Sequence, residues 1–205
     1  VKEKDFEYYV GIDEVGRGPL AGPVTICAAA FKVRAPKFLE GIKDSKKLTA
    51  KKREGWLKKF KIAQEEGSAI FCLASSDHTQ IDVLGLTKAI KNAIEKGLKK
   101  LNLDPCKCLV LLDGGLKAPE EYIHQETIIK GDEKELVIAA ASIVAKVSRD
   151  KVMIKYGEKY SEYGFDLHKG YGTKTHYEAI DKHGPCDIHR KSFLNNFCDK
   201  INIIN

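Results

Sequence analysis

The sequence predicts an α/β fold, on three observations. Leu109-Val110-Leu111-Leu112 is a short run without a polar residue, the pattern of a central strand buried on both faces. Segments rich in Val, Ile, Phe and Tyr alternate with helix-like segments along most of the chain. The first strand runs straight into two adjacent acids, Asp13-Glu14, and then into the loop Gly16-Arg17-Gly18-Pro19-Leu20-Ala21-Gly22-Pro23, an ending that ordinary core strands lack.

Residues 6–15 alternate Phe, Tyr, Val and Ile and read as the first strand. Val24 to Val33 reads as the second, paired with the first through the glycine loop. Pro36 and the charged stretch to Lys47 form a surface loop. Thr49 is placed to cap a basic helix carrying Trp56, Leu57, Phe60 and Ile62, which Gly67 ends. Ser68 to Ala74 is the third strand. Ile81, Leu84, Ala89, Ile90, Ile94 and Leu98 recur at three- and four-residue steps, so residues 77–101 form the longest helix, stopped by Asn102 and Pro105. Leu109 to Leu112 and Thr127 to Ile129 supply two more strands. Residues 133–152 form an Ala-rich helix whose small face, Ala139-Ala140-Ala141, lets it lie close to the sheet. From Tyr156 the composition turns aromatic, basic and glycine-containing. The chain is expected to be one domain, with a core of about 1–152 and a helical appendage of about 153–205.

The 205 residues suffice for one well-buried domain, and 43% hydrophobic with 31% charged residues reads as soluble and globular. No apolar run reaches the length of a membrane span, and Val1-Lys2-Glu3-Lys4-Asp5 is too polar for a signal peptide. A net charge of +6 favours a polyanionic partner only mildly, and a lysine-rich surface explains it equally well. The six cysteines form no C-x-x-C pair, and Cys106 with Cys108 lacks the His spacing of a zinc site. This usage points to a reducing, cytoplasmic compartment.

Four acids stand out by position: Asp13 and Glu14 near the end of the first strand, Asp113 after the apolar strand, and Asp132 after a strand and a glycine. Ligands of α/β sheets sit beyond the carboxyl ends of parallel strands, so acids from separate strand ends can converge. Each acid alone reads equally well as a strand-end or turn residue. Taken together they form an oxygen-only set suited to Mg²⁺ or Mn²⁺, and two such ions can activate a water and stabilise the leaving oxygen in attack on a phosphodiester. Successive strand residues point to opposite faces. Asp13 and Glu14 can therefore share a site only if the strand ends or bulges at Glu14, or if the Glu14 carbonyl oxygen contributes.

The stretch from Tyr8 to Pro23 resembles the signature of ribonuclease HII, the type 2 ribonuclease H family. Further resemblance follows in Asp44-Ser45-Lys46-Lys47-Leu48-Thr49, Leu111-Leu112-Asp113-Gly114, Lys130-Gly131-Asp132, Ala140 to Asp150 and His168-Lys169-Gly170-Tyr171-Gly172-Thr173. These motifs span nearly the whole chain. The resemblance implies a ribonuclease H-like fold: a mixed five-stranded sheet flanked by helices, with a helical C-terminal part. It implies that Asp13, Glu14, Asp113 and Asp132 are the catalytic, metal-binding carboxylates. It further implies an endoribonuclease, in general a monomer, that hydrolyses the RNA strand of RNA–DNA hybrids. Such an enzyme also nicks duplex DNA 5′ of an embedded ribonucleotide, the first step of ribonucleotide excision repair, leaving 3′-hydroxyl and 5′-phosphate ends.

For substrate contacts, the resemblance implies that Gly16, Arg17 and Gly18 reach the 2′-hydroxyl, which distinguishes RNA from DNA. It also implies that Tyr171 stacks at the RNA–DNA junction. By local sequence alone the first is a tight turn and the second a turn tyrosine. Lys46 and Lys47 are expected to hold phosphates. Ser142, Lys146 and Arg149 share a helix face that suits a nucleic-acid strand, although Lys146 and Asp150 also form an ordinary (i, i+4) pair. His168, His176, His183 and His189 receive no role. Rival readings are a ribonuclease HIII-like hybrid nuclease, which usually carries an extra N-terminal domain, and a non-catalytic hybrid-binding module. Recruitment by a sliding clamp stays open: Ile201-Asn202-Ile203-Ile204-Asn205 is apolar enough to dock but matches no motif.

Overall fold

The computed structural model describes residues 6–195. Val1 to Asp5, Cys198 and the apolar tail Ile201 to Asn205 lie outside the described residues. Five strands form one sheet: β1 (Tyr8–Val15), β2 (Val24–Phe31), β3 (Ala69–Ser76), β4 (Cys108–Asp113) and β5 (Gln125–Ile128), in the order β3-β2-β1-β4-β5. β2 runs antiparallel to β1 and β3, whereas β4 runs parallel to β1 and β5. The mixed five-stranded sheet is the one the resemblance implies.

Strand alternation sorts the core into two layers. Val10 and Ile12 of β1 join Val110 and Leu112 of β4 on one face, under Ile90, Ile94 and Leu98. Tyr9, Leu109 and Leu111 face the other way, against Val137, Ile138 and Ala141. The helices that supply these layers are α1 (Ala50–Glu65), α2 (His78–Leu84), α3 (Leu86–Leu101), α4 (Gly131–Lys134), α5 (Leu136–Lys159), α6 (Phe165–His168) and α7 (Lys174–His183). Thr49 caps α1, its hydroxyl accepting from the Lys52 amide at 3.3 Å.

Two helix expectations need correction. The pattern over 77–101 is two helices, because Gly85 takes a φ of +79° between α2 and α3, a conformation that glycine adopts without strain. The longest helix is instead α5, with 24 residues. It begins after Glu135, whose extended backbone separates it from α4, and it continues past residue 152 without a break. It lies close against the sheet at Gly11, where an added Cβ would lie 2.2 Å from the Val137 carbonyl oxygen. The glycine in β1, rather than the alanine face alone, brings helix and sheet backbone together.

After α5 the chain builds a third small core from Met153, Tyr163, Phe165, Tyr177, Ile180 and Ile188, and this core includes Leu20 and Ala21 of the glycine loop. Main-chain bonds fasten the two segments: Leu20 N–H to Gly170 O at 2.8 Å, Gly22 N–H to Ile188 O at 2.9 Å, and Arg190 N–H to Leu20 O at 2.8 Å. Among the described residues the five cysteines are free thiols, and no helix is long and apolar enough to cross a membrane.

Candidate active site

Parallel pairing of β1 with β4 ends at Ile12 and Leu112, which sets Asp13 and Asp113 side by side at the carboxyl ends of adjacent central strands. Both are odd-numbered members of their strands and so point to the α5 face. Asp132 arrives on the first turn of α4, where the Gly131 amide donates to Asp113 Oδ1 at 2.6 Å. Asp44 joins them from the loop before α1 and touches Asp132. The Lys46 ammonium feels all four aspartates: burial alone would lower its pKa, but Asp132, Asp44, Asp13 and Asp113 together raise it. Its Nζ lies 3.8 Å from Asp132 Oδ2.

Glu14 stands apart. β1 keeps a regular ladder with β2 through Glu14↔Ile26 and Val15↔Thr25, so the expected end or bulge at Glu14 does not occur. Regular alternation turns its side chain to the opposite face, where Oε1 accepts from Arg17 Nη1 at 3.1 Å. Burial pushes Asp13 up to about 7, opposed by a bond from the Ser142 hydroxyl and reinforced by Glu14 and Asp113. Glu14 is raised chiefly by burial, against the pull of Arg17. Asp132 is raised by burial first, then by Asp113 and Asp44.

No three His, Cys, Asp or Glu among the described residues are gathered into chelating geometry. Their chemistry nonetheless fits a hard divalent cation. The donors are all oxygen, three of the carboxyls resist ionising unless positive charge arrives, and Glu14 Oε2 is buried without a hydrogen-bond partner among the described residues.

Beside the acids lies the glycine loop. Arg17 and Gly18 are exposed, and Tyr171 is 40% exposed. An added Cβ on Gly18 would sit 3.9 Å from the Tyr171 ring, so loop and tyrosine lie side by side at the surface. Lys46 borders the acids, whereas Lys47 is drawn to Glu133 at 2.8 Å. Of the face shared by Ser142, Lys146 and Arg149, two members turn into the protein and only Lys146 stays half-exposed. Ser142 is buried and bonds Ser45 Oγ at 2.8 Å while touching Asp13. Lys146 pairs with Asp150 at 2.9 Å. Arg149 is fully buried, reaching the carbonyls of Pro23, Ala21 and Lys169. Arg190 does the same for Gly22, Arg17 and Gly16, a role sequence reasoning missed. Its partners are main-chain oxygens, which leave no residue pattern to read.

Two of the histidines, His176 and His189, turn inward as a relay. The Cys186 amide donates to His189 Nδ1 at 2.9 Å, so His189 Nε2–H donates to His176 Nε2 at 3.1 Å and His176 Nδ1–H to the Tyr171 carbonyl at 2.9 Å. A further proton on His176 Nε2 would set two N–H groups against each other. Burial holds both rings down to about 4, against an ordinary value of 6.5. A depressed histidine gives stability that is complete above pH 6.5 and is lost as pH falls through about 4. Between pH 7 and pH 4.5 the relay alone contributes a loss on the order of a few kcal/mol, set against the opposite trend of Asp13, so denaturant unfolding is read as parent against variant. His189→Gln should lose less over that interval, and equal losses would rule out the relay as the cause.

A family model for ribonuclease HII matches residues 10–196. The ribonuclease HII of Caldicellulosiruptor bescii is 46% identical over 191 residues, covering 93% of this chain and 88% of the relative. That of Clostridioides difficile is 44% identical over 194 residues, covering 95% and 72%. Among solved structures, a chain of the PCNA:RNase HII complex from Archaeoglobus fulgidus aligns at a TM-score of 0.69 and 24% identity, covering 89% and 93%. Bst-RNase HIII in complex with Mn²⁺ aligns at 0.69 and 18%, covering 99% of this chain and 71% of the other.

Proposed function

The chain belongs to the ribonuclease HII family, and we propose that within it Asp13, Asp113 and Asp132, with Glu14 at the rim, hold the divalent ions, while Gly16-Arg17-Gly18 and Tyr171 read the ribonucleotide. The protein is an endoribonuclease acting on the RNA of RNA–DNA hybrids, and its chemistry depends on divalent metal. What supports the assignment of the acids is their meeting at the ends of β1 and β4, beside the glycine loop.

Two divalent ions, held by these acids, would supply an activated water and stabilise the leaving oxygen, which would leave 3′-hydroxyl and 5′-phosphate ends. The hard oxygen donors favour Mg²⁺ or Mn²⁺. Ser142 orients Asp13 by its hydroxyl. With the strand regular, Glu14 contributes through its carbonyl oxygen, while its side chain fixes Arg17. Lys46 steers a backbone phosphate toward the acids, and Lys47 supports it from the same loop. Lys146, half-buried and paired with Asp150, takes a phosphate by exchanging Asp150 for it. Because the segment after α5 completes the glycine loop, the described residues work as one catalytic domain.

The test is a cleavage map on duplex DNA carrying one ribonucleotide, with Mg²⁺, Mn²⁺ or chelator. A single metal-dependent nick 5′ of the ribonucleotide is expected. Cutting confined to continuous hybrid would remove the loop and Tyr171 from the reading. On the same substrates Tyr171→Ala should lower cutting at the lone ribonucleotide about tenfold more than cutting of continuous hybrid, the scale of a lost stacking contact. Equal losses on both would end the junction-reading role.

A further inference from the structure

Among the described residues two arginines are fully buried, and neither forms an ion pair with a described acid. Arg190 Nη2 donates to Gly16 O at 2.7 Å, Nη1 to Arg17 O at 3.0 Å and Nε to Gly22 O at 2.9 Å. Arg149 Nε donates to Pro23 O at 2.8 Å, Nη1 to Lys169 O at 3.0 Å and Nη2 to Ala21 O at 3.2 Å. Six carbonyls are thus turned inward by two guanidiniums. Burial of a charge without a carboxylate partner is unfavourable, so a fold keeps it only where the bonds it makes fix something.

The peptide group dictates what is fixed. No cis peptide occurs among the described residues, and in a trans peptide the C=O and the following N–H point in opposite directions. With the Gly16 and Arg17 carbonyls drawn inward, the amides of Arg17 and Gly18 point outward. Both residues are exposed, and neither amide is bonded to a described residue. Residue 19 is proline and offers no donor, so these two amides form a closed pair. They open beside Tyr171, whose ring lies 5.9 Å from the Arg149 guanidinium carbon. Gly16, at φ +94°, makes room: a Cβ there would lie 2.3 Å from Arg149 Nε.

We propose that Arg190, seconded by Arg149, is a specificity-determining positioning residue that holds the Arg17 and Gly18 amides outward as a pre-formed pair of donors to the 2′-oxygen of a ribonucleotide. The inference rests on the proposed role of the loop as ribose reader. A pre-set donor pair rewards an acceptor at the 2′ position and gives nothing to a 2′-hydrogen, so it acts on discrimination, not on general affinity for polyanions. Lysine at position 190 keeps the positive charge but has one donor atom, which cannot span three separated carbonyls.

The experiment is binding in chelator, where nothing is cut, to a DNA duplex with one ribonucleotide and to the same duplex all in DNA. The wild type should prefer the first. Arg190→Lys should lose about tenfold of that preference with affinity for the all-DNA duplex unchanged, the scale of one or two hydrogen bonds. A preserved preference, or an equal loss on both duplexes, would overturn the clamp while leaving the loop reading intact. A wild type without any preference would overturn the loop reading, and this inference with it. Should Arg190→Lys fail to fold, amide hydrogen exchange of the wild type decides. Arg17 and Gly18 should exchange fast in the free protein and be protected by the ribonucleotide duplex but not by all-DNA. Slow exchange in the free protein, or no protection on binding, rejects the proposal.

Discussion

Asp13→Asn is expected to abolish cleavage of both hybrid and ribonucleotide-containing duplex while leaving substrate binding in place. Asn matches the shape of Asp and keeps a polar contact for the Ser142 hydroxyl, but it removes the charge that lies between Glu14 and Asp113. Loss of one anionic ligand from a two-ion site is worth about 4 kcal/mol of transition-state stabilisation, or roughly a thousandfold in rate. Stability should move the other way. Asp13 titrates near 7 in the fold against an ordinary 3.8, so its ionised form opposes folding as pH rises through that interval. In chelator at pH 8, Asp13→Asn should therefore melt several degrees above the parent. A variant that is inactive and also less stable would mark Asp13 as structural, and normal turnover would take it out of the site.

Gly11→Ala should be the most damaging single methyl in the core. The new Cβ would stand 2.2 Å from the Val137 carbonyl oxygen and 2.6 Å from the Ile138 amide, all rigid backbone at the start of α5. Neither strand nor helix can yield without moving Ser142 relative to Asp13. The expected loss is about 3 kcal/mol, at the upper end of overpacking effects, or roughly 6–12 °C in melting temperature. Activity should fall with it even below the melting range. Gly55→Ala is the comparison: it lies within α1 with open space around its Cβ, so it should be neutral or stabilise by about 0.5–1 kcal/mol. A Gly11→Ala protein as stable as the parent would contradict the close contact of α5 with β1.

The parts legible in the sequence were those with local causes. Apolar runs marked β2 and β4, the Thr49 cap marked α1, and the left-handed Asn102 ended α3 where its type predicts. The split at Gly85 was hidden because the apolar steps continue across it, and a positive φ leaves no trace beyond the glycine itself. In the site, Asp13 and Asp113 were readable as strand-end acids. The strand, however, continues in register through Glu14, since pairing with β2 holds it flat whatever the side chains would prefer. Ser142 and Arg149 sit on one helix face as their spacing requires, yet that face looks into the protein. Helical spacing says which residues share a side, not which side meets solvent. Arg190 was illegible for a different reason: it recognises carbonyls, which every residue has.

The fastening of the glycine loop also sets an order in time. The residues of the loop, 16–23, are made before the side chain that orients them, which follows some 168–174 positions later. All four candidate acids have been made by residue 132. A nascent chain can therefore carry its full complement of carboxylates while the loop meant to inspect the sugar still lacks its frame. In the order of translation, the capacity to cut is laid down before the capacity to choose.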